Sequence, residues 1–394
     1  MTGLIRNARL PLLIFALVTS VLFVVVALSA LYVPRSPWRL NAQPLLPEYP
    51  WVDGWTRFDA GWYWGIAKNG YYFNGSDEPS SIAFFPGYPL AMRLLTPVFR
   101  NPLLAGIAVT VVCGAFVSAL FYRWTLLRMD TKMALASLLA LLLYPFAYYL
   151  NGAVYADAMF LAAALGAFVA VESDRPLLAG VLGAVATATR PVGLAVVVGL
   201  VVLTVERRIT PGGPATLATL RAMLRAPRLL QARHWLVLLS PLGLGLYALY
   251  LWYQFGDPYT FMEAESGWGH RPGIETWLKF DILYAFLSPH WHGDHLRIAT
   301  HLFLTLSGFA LTPVVFRRFG WGYGVYTLCV LAIPAISSKD LVGMGRYMLA
   351  AFPVFAALGL QLAPRPWLLR TYLAASAMLL VIMTSLYSRW HYLT

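Results

Sequence analysis

Charged residues and cysteines are both scarce in this sequence. Only 12% of its 394 residues are charged and 59% are apolar, whereas a soluble globular domain carries about 25% charged residues. This composition excludes a set of soluble domains, a disordered chain and a collagen-like repeat. The two cysteines, Cys113 and Cys329, lie inside apolar runs. Neither a disulfide framework nor a zinc site is therefore predicted.

The apolar residues come in blocks long enough to cross a hydrocarbon core of about 30 Å as helices. We therefore predict an all-α polytopic membrane protein. The first block is too long for a signal-peptide core and is predicted to stay as a helix. Two short blocks are predicted to form a hairpin broken at Arg190 and Pro191, which is tolerated at membrane depth where it lines a protein cavity. The eleven predicted spans are 10–33, 102–123, 132–150, 154–172, 176–189, 190–205, 234–254, 295–316, 320–337, 344–362 and 367–388.

The net charge of +12 is unevenly distributed along the chain. Six arginines lie between Glu206 and His234, and such clusters beside apolar spans mark cytoplasmic loops. The loop 206–233 and the N-terminus are therefore predicted to be cytoplasmic, and the longer segments 34–101 and 254–294 to lie outside. This placement of charge beside spans also argues against a nucleic-acid partner.

An aspartate stands at the centre of the first outer segment, among many aromatic residues. Residues 62–67 are predicted to form an interfacial helix that ends at Gly70 in a left-handed C-cap. Asp59 precedes this helix, where the helix dipole favours an ionised carboxylate, although a simple N-cap is the alternative. The aromatic residues fit either a belt at the membrane interface or a platform for sugar or lipid; they are Trp51, Trp55, Trp62, Tyr63, Trp64, Tyr71 and Tyr72.

Four further charged residues are candidates for a site on the outer side. Asp157 follows Tyr155 at the start of a span, where an acid is costly and therefore functional by default, or else caps the helix. Arg190 lies at the tip of the broken hairpin, and its planar guanidinium suits a phosphate. Arg346 is a second phosphate candidate, or else a snorkelling arginine. Lys68 is held in reserve for the same task.

A run of histidines, from His290 to His295, resembles a metal site only loosely. Its spacing fits no known ligand set, so we predict no metal, and His290 and His292 are instead predicted to face solvent or an acceptor. The sequence contains no Walker loop, dinucleotide fingerprint or nucleophile elbow. Nothing therefore supports an enzyme driven by ATP or using a nucleotide sugar, and no cofactor is expected.

Several short motifs carry a family likeness. They are Arg57-Phe58-Asp59, Trp62-Tyr63, Ile66-Ala67, Gly70-Tyr71, Phe84-Phe85-Pro86-Gly87-Tyr88-Pro89, Val154-Tyr155-Ala156-Asp157, Thr189-Arg190-Pro191-Val192-Gly193, Phe255-Gly256-Asp257-Pro258 with Trp268-Gly269, and Gly345-Arg346-Tyr347. In this order they resemble the PIG-V family, the GPI mannosyltransferase 2 group and its bacterial relatives, which are membrane glycosyltransferases of the GT-C fold class. The sequence departs from the family pattern at Phe58 (usually Trp), Gly87 (usually Leu), Asp157 (usually Glu) and Pro191-Val192 (usually Ser-Asn).

The resemblance implies a single GT-C domain, residues 1–394, in a bacterial plasma membrane. It implies inverting transfer of mannose from a polyprenyl-phosphate donor to an acceptor hydroxyl, on a glycolipid or similar molecule, at the outer face. Asp59 would be the base, Asp157 would orient the acceptor or stabilise the sugar, and Arg190, Arg346 and Lys68 would bind the donor phosphate. Two alternatives stay open: transfer of another lipid-linked sugar and, less favoured, transport of one. Further substrate contacts are expected from Arg57, Trp62, Tyr63, Tyr88, Tyr155, His290 and His292.

Overall fold

The computed structural model describes residues 2–76, 78–209, 215–224, 230–267, 273–287 and 293–393, and within these ranges every regular element is a helix. The all-α class expected from the sequence is confirmed. The longer helices are α1 (Thr2–Tyr32), α2 (Ala60–Asn69), α3 (Gly87–Phe99), α4 (Pro102–Leu126), α5 (Thr131–Leu142), α6 (Asp157–Glu172), α7 (Pro176–Thr189), α8 (Leu194–Glu206), α9 (Leu242–Phe255), α10 (Gly293–Phe319), α11 (Trp321–Ser337), α12 (Phe352–Leu362) and α13 (Pro366–Ser388).

Shorter helical pieces connect these elements. The α-helical pieces are Pro50–Asp53, Tyr148–Asn151, Leu217–Met223, Thr260–Gly267, Ile274–Leu278, Phe280–Leu287 and Met344–Tyr347. The 3₁₀ pieces are Pro37–Arg39, Ser81–Ala83, Pro191–Gly193, Ala232–Leu239 and Met348–Ala350. Both predicted outer segments and the predicted inner loop therefore contain short helices of their own.

Local sequence signals account for several helix ends. The Asn101 side chain accepts a hydrogen bond from the Leu103 N–H at 2.8 Å, and Asp130 does the same for Met133 at 2.8 Å. Such caps satisfy N–H groups that have no partner within the helix. At the other end of a helix, Gly256 follows α9 in the left-handed conformation, which glycine adopts at little cost.

Within the described residues, four helices are long and apolar enough to cross a membrane, and the count rises to six if each of two bent pairs forms one span. The chain is a multi-pass membrane protein, and the predicted number of eleven crossings stays a prediction. Three predicted spans are not continuous helices. The span 132–150 stops at Leu142, ahead of Pro145. Proline explains this ending, because it lacks the N–H that the helix needs.

The other two interrupted spans bend at prolines as well. The helix axis turns by 45° between Leu239 and Leu242, around Pro241, and by 85° between Ala350 and Phe352, ahead of Pro353. The expected break at Arg190 is also present, because α7 ends at Thr189 and Arg190 is extended.

The chain divides into two compact units. Unit 1 comprises residues 1–70, 87–165 and 355–393. In it α1 packs against α4 and α13. A side chain at Gly114 of α4 would collide with the Leu150 carbonyl and the Phe15 ring, so glycine there permits the close helix approach typical of membrane interiors. The Ser118 hydroxyl also donates to the Pro11 carbonyl at 2.8 Å, which ties α4 to α1.

Unit 2 comprises residues 71–86 and 166–354. Its centre is the packing of α8 against α11. The buried Glu206 carboxylate, at the end of α8, accepts hydrogen bonds from the N–H groups of Trp321 at 2.7 Å and Gly322 at 2.8 Å. A carboxylate at a helix N-terminus satisfies unpaired donors and complements the helix dipole. Glu206 therefore fixes the start of α11, although it lies more than one hundred positions earlier in the sequence.

Candidate functional site

Asp59 lies directly before α2 in unit 1. It occupies the N-cap position, yet its carboxylate makes no capping hydrogen bond to the helix. Instead, the Asp59 backbone N–H donates to the hydroxyl oxygen of Tyr155 at 3.1 Å. The structure therefore does not favour a role as a simple N-cap. The predicted end of α2 needs a correction, because Gly70 has a positive φ of 84° but a ψ of −163°, which is not the left-handed helical conformation.

Phe58, the residue before Asp59, has a φ of 52°. This conformation costs a non-glycine residue about 1–2 kcal/mol and needs support from its surroundings. Here the Phe58 ring packs against three aromatic rings of the C-terminal segment, with centroids 5.8 Å from Tyr387, 5.4 Å from Trp390 and 5.4 Å from Tyr392. Aromatic packing thus holds the backbone that presents Asp59.

Tyr155 joins the two predicted catalytic acids within unit 1. Its buried ring lies 4.7 Å from that of Tyr149 and 6.2 Å from that of Tyr63. Two residues later, Asp157 begins α6 with only 5% of its surface exposed. Because Tyr155 contacts the Asp59 amide, one rigid aromatic residue fixes the backbone beside both acids.

Arg57 and Tyr88, both predicted to contact substrate, are held by the protein itself. The Arg57 guanidinium forms a buried ion pair with Asp53 at 2.6 Å, donates to the Ser388 carbonyl at 2.8 Å and stacks 4.9 Å from the Trp390 ring centroid. The Tyr88 hydroxyl is also buried and donates to the Gly106 carbonyl at 2.8 Å. This geometry favours positioning roles for both residues.

The remaining candidates of unit 1 lie on α2. Lys68 is exposed, with its ammonium 5.2 Å from the Trp64 ring centroid. Tyr63 is buried with its ring 5.1 Å from that of Tyr88, whereas Trp62 is half-buried. Arg93 of α3 donates to the Ala67 carbonyl at 2.7 Å and so caps the C-terminus of α2.

In unit 2, Arg190 and Arg346 meet on one aromatic ring. The Arg190 guanidinium carbon lies 4.8 Å from the ring centroid of Tyr347, and that of Arg346 lies 5.2 Å from the same centroid. The Arg346 Nη2 also lies 3.4 Å from the Tyr347 hydroxyl. Two like charges normally repel, but an aromatic face attracts guanidinium groups electrostatically. The Tyr347 ring therefore brings together the two arginines that the sequence proposed separately.

The backbone around each arginine explains its placement. Arg190 is extended (φ −157°, ψ 147°) between α7 and the 3₁₀ turn Pro191–Gly193, and it is almost fully buried. The residue before a proline disfavours the helical region, so the sequence Arg190-Pro191 itself breaks the helix. Arg346 lies in the short helix Met344–Tyr347, which Gly343 precedes with a φ of 94°.

The histidine run is only partly visible. His290 and His292 lie outside the described residues. His295 is buried with Nε2 2.8 Å from the Ala285 carbonyl. Among the described residues, no three His, Cys, Asp or Glu side chains group so that they would hold a metal ion, and the expectation of a metal-free enzyme stays a prediction.

Sequence reasoning missed three residues that shape these clusters. Tyr347 directly follows the candidate Arg346, but nothing in the local sequence indicates that Arg190 packs on the same ring. Phe58 stands where the family pattern has tryptophan, and its positive φ has no signal in the local sequence. Arg93 caps α2 from another helix, and no spacing rule connects the two.

These features define a class of protein: a multi-pass membrane protein with acids fixed on one aromatic cluster and stacked arginines on another. The chain belongs to the mannosyltransferase (PIG-V) family, whose model matches residues 6–296. The family resemblance noted in the sequence is thereby confirmed, and with it the expectation that the chain is a glycosyltransferase. No curated protein matches the chain.

Three solved structures of an oligosaccharyltransferase from Archaeoglobus fulgidus are similar to the chain. The apo form has 11% identity and a TM-score of 0.46, over 96% of this chain and 56% of that one. The form tethered to an acceptor peptide with the NVT sequon has 10% identity and a TM-score of 0.44, over 94% and 55%. The AglB complex with an inhibitory peptide and a dolichol-phosphate has 10% identity and a TM-score of 0.42, over 94% and 55%. The chain thus spans little more than half the length of these structures.

Proposed function

We propose that this protein is an inverting mannosyltransferase that takes mannose from a polyprenyl-phosphate donor. The observation that carries the proposal is the pair of guanidinium groups on the Tyr347 ring, at 4.8 Å for Arg190 and 5.2 Å for Arg346. Membership of the mannosyltransferase (PIG-V) family supports mannose as the sugar. A polyprenyl carrier suits a membrane protein of this kind, because the lipid tail of the carrier lies in the same bilayer that the apolar helices cross.

The stacked arginines suit a phosphate that gains charge as the reaction proceeds. A phosphate monoester carries about −1.5 to −2 charges at neutral pH, which two guanidinium groups together balance. Stacking on a ring uses the face of a guanidinium, while its N–H groups project from the edge in a fork that matches phosphate oxygens. Arg190 and Arg346 thus stabilise the leaving polyprenyl phosphate, with Lys68 as a further cation.

The chemistry at the acceptor needs one base. The Asp59 carboxylate takes the proton of the acceptor hydroxyl as its oxygen attacks the anomeric carbon, and the bond from that carbon to the phosphate oxygen breaks. The electron pair of that bond leaves with the polyprenyl phosphate. Because the acceptor oxygen attacks from the face opposite the leaving phosphate, the anomeric configuration inverts. Asp157 orients the acceptor or stabilises the positive charge that develops on the sugar. Substrate contacts are further proposed for Trp62, Tyr63 and Tyr155, and, beyond the described residues, for His290 and His292.

The proposed orientation follows from charge. Arginines cluster in 206–233, which favours a cytoplasmic position for this loop and for the N-terminus. The Asp59 segment then faces the outside of a bacterial plasma membrane, where a glycolipid or similar acceptor is available. The single transmembrane domain 1–394 is part of the same proposal.

A transfer assay tests the proposal. Purified protein in lipid nanodiscs is incubated with radiolabelled polyprenyl-phosphate mannose and a membrane lipid extract, with and without a chelator. We expect a labelled glycolipid with inverted anomeric configuration, in equal amount with the chelator. Transfer only from a glucose or arabinose donor would contradict mannose as the sugar. Donor movement across liposomes without any product would identify a transporter instead.

A further inference from the structure

His301 of α10 contacts the segment that carries Arg346. Its side chain is only 1% exposed, and its Nδ1 accepts a hydrogen bond of 3.0 Å from the Gly345 backbone N–H. A ring nitrogen that accepts a hydrogen bond carries no proton. Nδ1 of the His301 imidazole is therefore unprotonated. The donor of this hydrogen bond, Gly345, directly precedes Arg346, one of the two arginines on the Tyr347 ring.

The short helix Met344–Tyr347 needs an outside partner of this kind. The first N–H groups of any helix have no acceptor within the helix, and Gly343 at the N-cap has no side chain that could supply one. Nearby, Leu341 has a φ of 61°, a conformation that costs about 1–2 kcal/mol for a non-glycine residue. Because the helix Met344–Tyr347 has only four residues and follows a strained connection, contacts with other elements are needed to fix the direction of its axis.

We infer that His301 is a positioning residue for the donor phosphate. Its hydrogen bond to Gly345 fixes the start of the short helix, and thereby the direction from which the Arg346 guanidinium reaches the Tyr347 ring. This inference rests on the proposed function, because it assigns His301 to the same phosphate contact. His301 itself touches neither donor nor acceptor in this role.

Three substitutions separate the hydrogen bond from the volume of the ring. In His301→Asn the amide oxygen sits where Nδ1 was, whereas in His301→Gln it sits one bond further out, and His301→Ala has no acceptor. We expect His301→Ala and His301→Gln to raise the KM for the donor about tenfold, mostly without loss of kcat. We expect His301→Asn to keep a donor KM near that of the native protein. If the His301 ring acted through packing alone, His301→Asn would not differ from His301→Gln in this way.

Amide hydrogen exchange gives a second readout that needs neither donor nor acceptor. Exchange at Gly345 should be slow in the native protein and in His301→Asn, and about tenfold faster in His301→Ala. Faster exchange without any detectable transferase activity would leave the hydrogen bond established but sink the proposed function. An unchanged donor KM in His301→Ala, in a protein where Arg346→Ala abolishes donor use, would overturn the inference alone.

His295 provides a matched control on the same helix. It is also buried, but its Nε2 contacts the Ala285 carbonyl rather than the Arg346 segment. His295→Asn should therefore leave the donor KM and the exchange of Gly345 unchanged. If His301→Ala fails to fold, the comparison of His301→Asn with His301→Gln decides, and equal KM values in these two variants would refute the role of Nδ1.

Discussion

The backbone N–H of Asp59 donates a hydrogen bond of 3.1 Å to the hydroxyl oxygen of Tyr155, across 96 positions of sequence. This hydrogen bond links the strained turn at Phe58, before α2, to Tyr155, which stands two positions before Asp157. A tyrosine with a buried ring is a stiff support, because its hydroxyl cannot move without the ring. The position of the proposed base therefore depends on the buried tyrosine that accepts this hydrogen bond.

Replacing Tyr155 with Phe tests this support. The variant lacks the hydroxyl that accepts the Asp59 N–H, and one such hydrogen bond contributes about 0.5–1.5 kcal/mol. We expect kcat to fall roughly tenfold, with the donor KM little changed, in steady-state transfer assays. Tyr32→Phe, at an exposed tyrosine of α1, is the control. Native kcat in Tyr155→Phe would show that the hydrogen bond does not position Asp59.

Asp59→Asn tests the base directly. The amide keeps the size of the side chain but cannot take a proton, so transfer should fall by about 10²–10⁴-fold. Donor binding, measured with a fluorescent polyprenyl phosphate, should be unchanged. Glu48→Gln, at an exposed acid of the same outer segment, should keep full activity. Turnover of Asp59→Asn near the native rate would reject Asp59 as the base.

Arg190→Lys tests the stack on Tyr347. A lysine keeps the charge but loses the planar fork that stacks on a ring and pairs with two phosphate oxygens. We expect the donor KM to rise by about tenfold or more, and Tyr347→Leu, which removes the ring, to have a similar effect. Arg365→Lys, at an exposed arginine before α13, serves as the control. A donor KM in Arg190→Lys equal to that of the control would count against the phosphate contact.

Asp53→Asn tests the buried ion pair with Arg57, whose side chains are 6% and 4% exposed. Removing one partner leaves the other charge buried, which costs about 3–5 kcal/mol. Thermal unfolding in detergent should therefore show a clear loss of stability. The pair of Arg208 with Asp174 is 33% and 47% exposed, and breaking it by Asp174→Asn should cost less than about 1 kcal/mol. Equal losses in the two variants would contradict this reasoning.

Asp174 also makes stability depend on pH. Desolvation raises its pKa, but the nearby Arg233 and Arg208 together lower the pKa below the ordinary value of 3.8. An acid with a lowered pKa in the folded state adds stability above its unfolded pKa and loses it as pH falls through the folded pKa. The gap in melting temperature between the native protein and Asp174→Asn should thus be small at pH 7 and shrink further as the pH falls below 3.8. A gap that persists unchanged at pH 3 would point to another cause.

Much of the fold was predictable because long apolar runs have one stable solution in a bilayer. The helix ends were less predictable. Three predicted spans are interrupted near prolines, which are Pro145, Pro241 and Pro353. Hydropathy averaged over a window of residues does not reveal a single residue that lacks a backbone N–H. The break at Arg190 was visible, because a residue before proline avoids the helical region.

The candidate site residues stay predictions, and the sequence signals behind them differ in kind. Asp59, Asp157, Arg190 and Arg346 were visible as charges that an apolar chain has little reason to keep. Arg57 was predicted to contact substrate, whereas the structure surrounds its guanidinium with Asp53, Ser388 and Trp390. A motif shows that an arginine is needed without telling whether it faces substrate or its own protein.

The sequence by itself determined the membrane class, the family and the identity of the charged residues, because composition, hydropathy and short motifs are local properties. The tertiary structure alone decided that Arg190 and Arg346 share the Tyr347 ring and that Tyr155 supports Asp59. It also decided that His301 caps the helix of Arg346. These contacts join residues up to 157 positions apart, and such partners are selected by packing, which no spacing rule encodes.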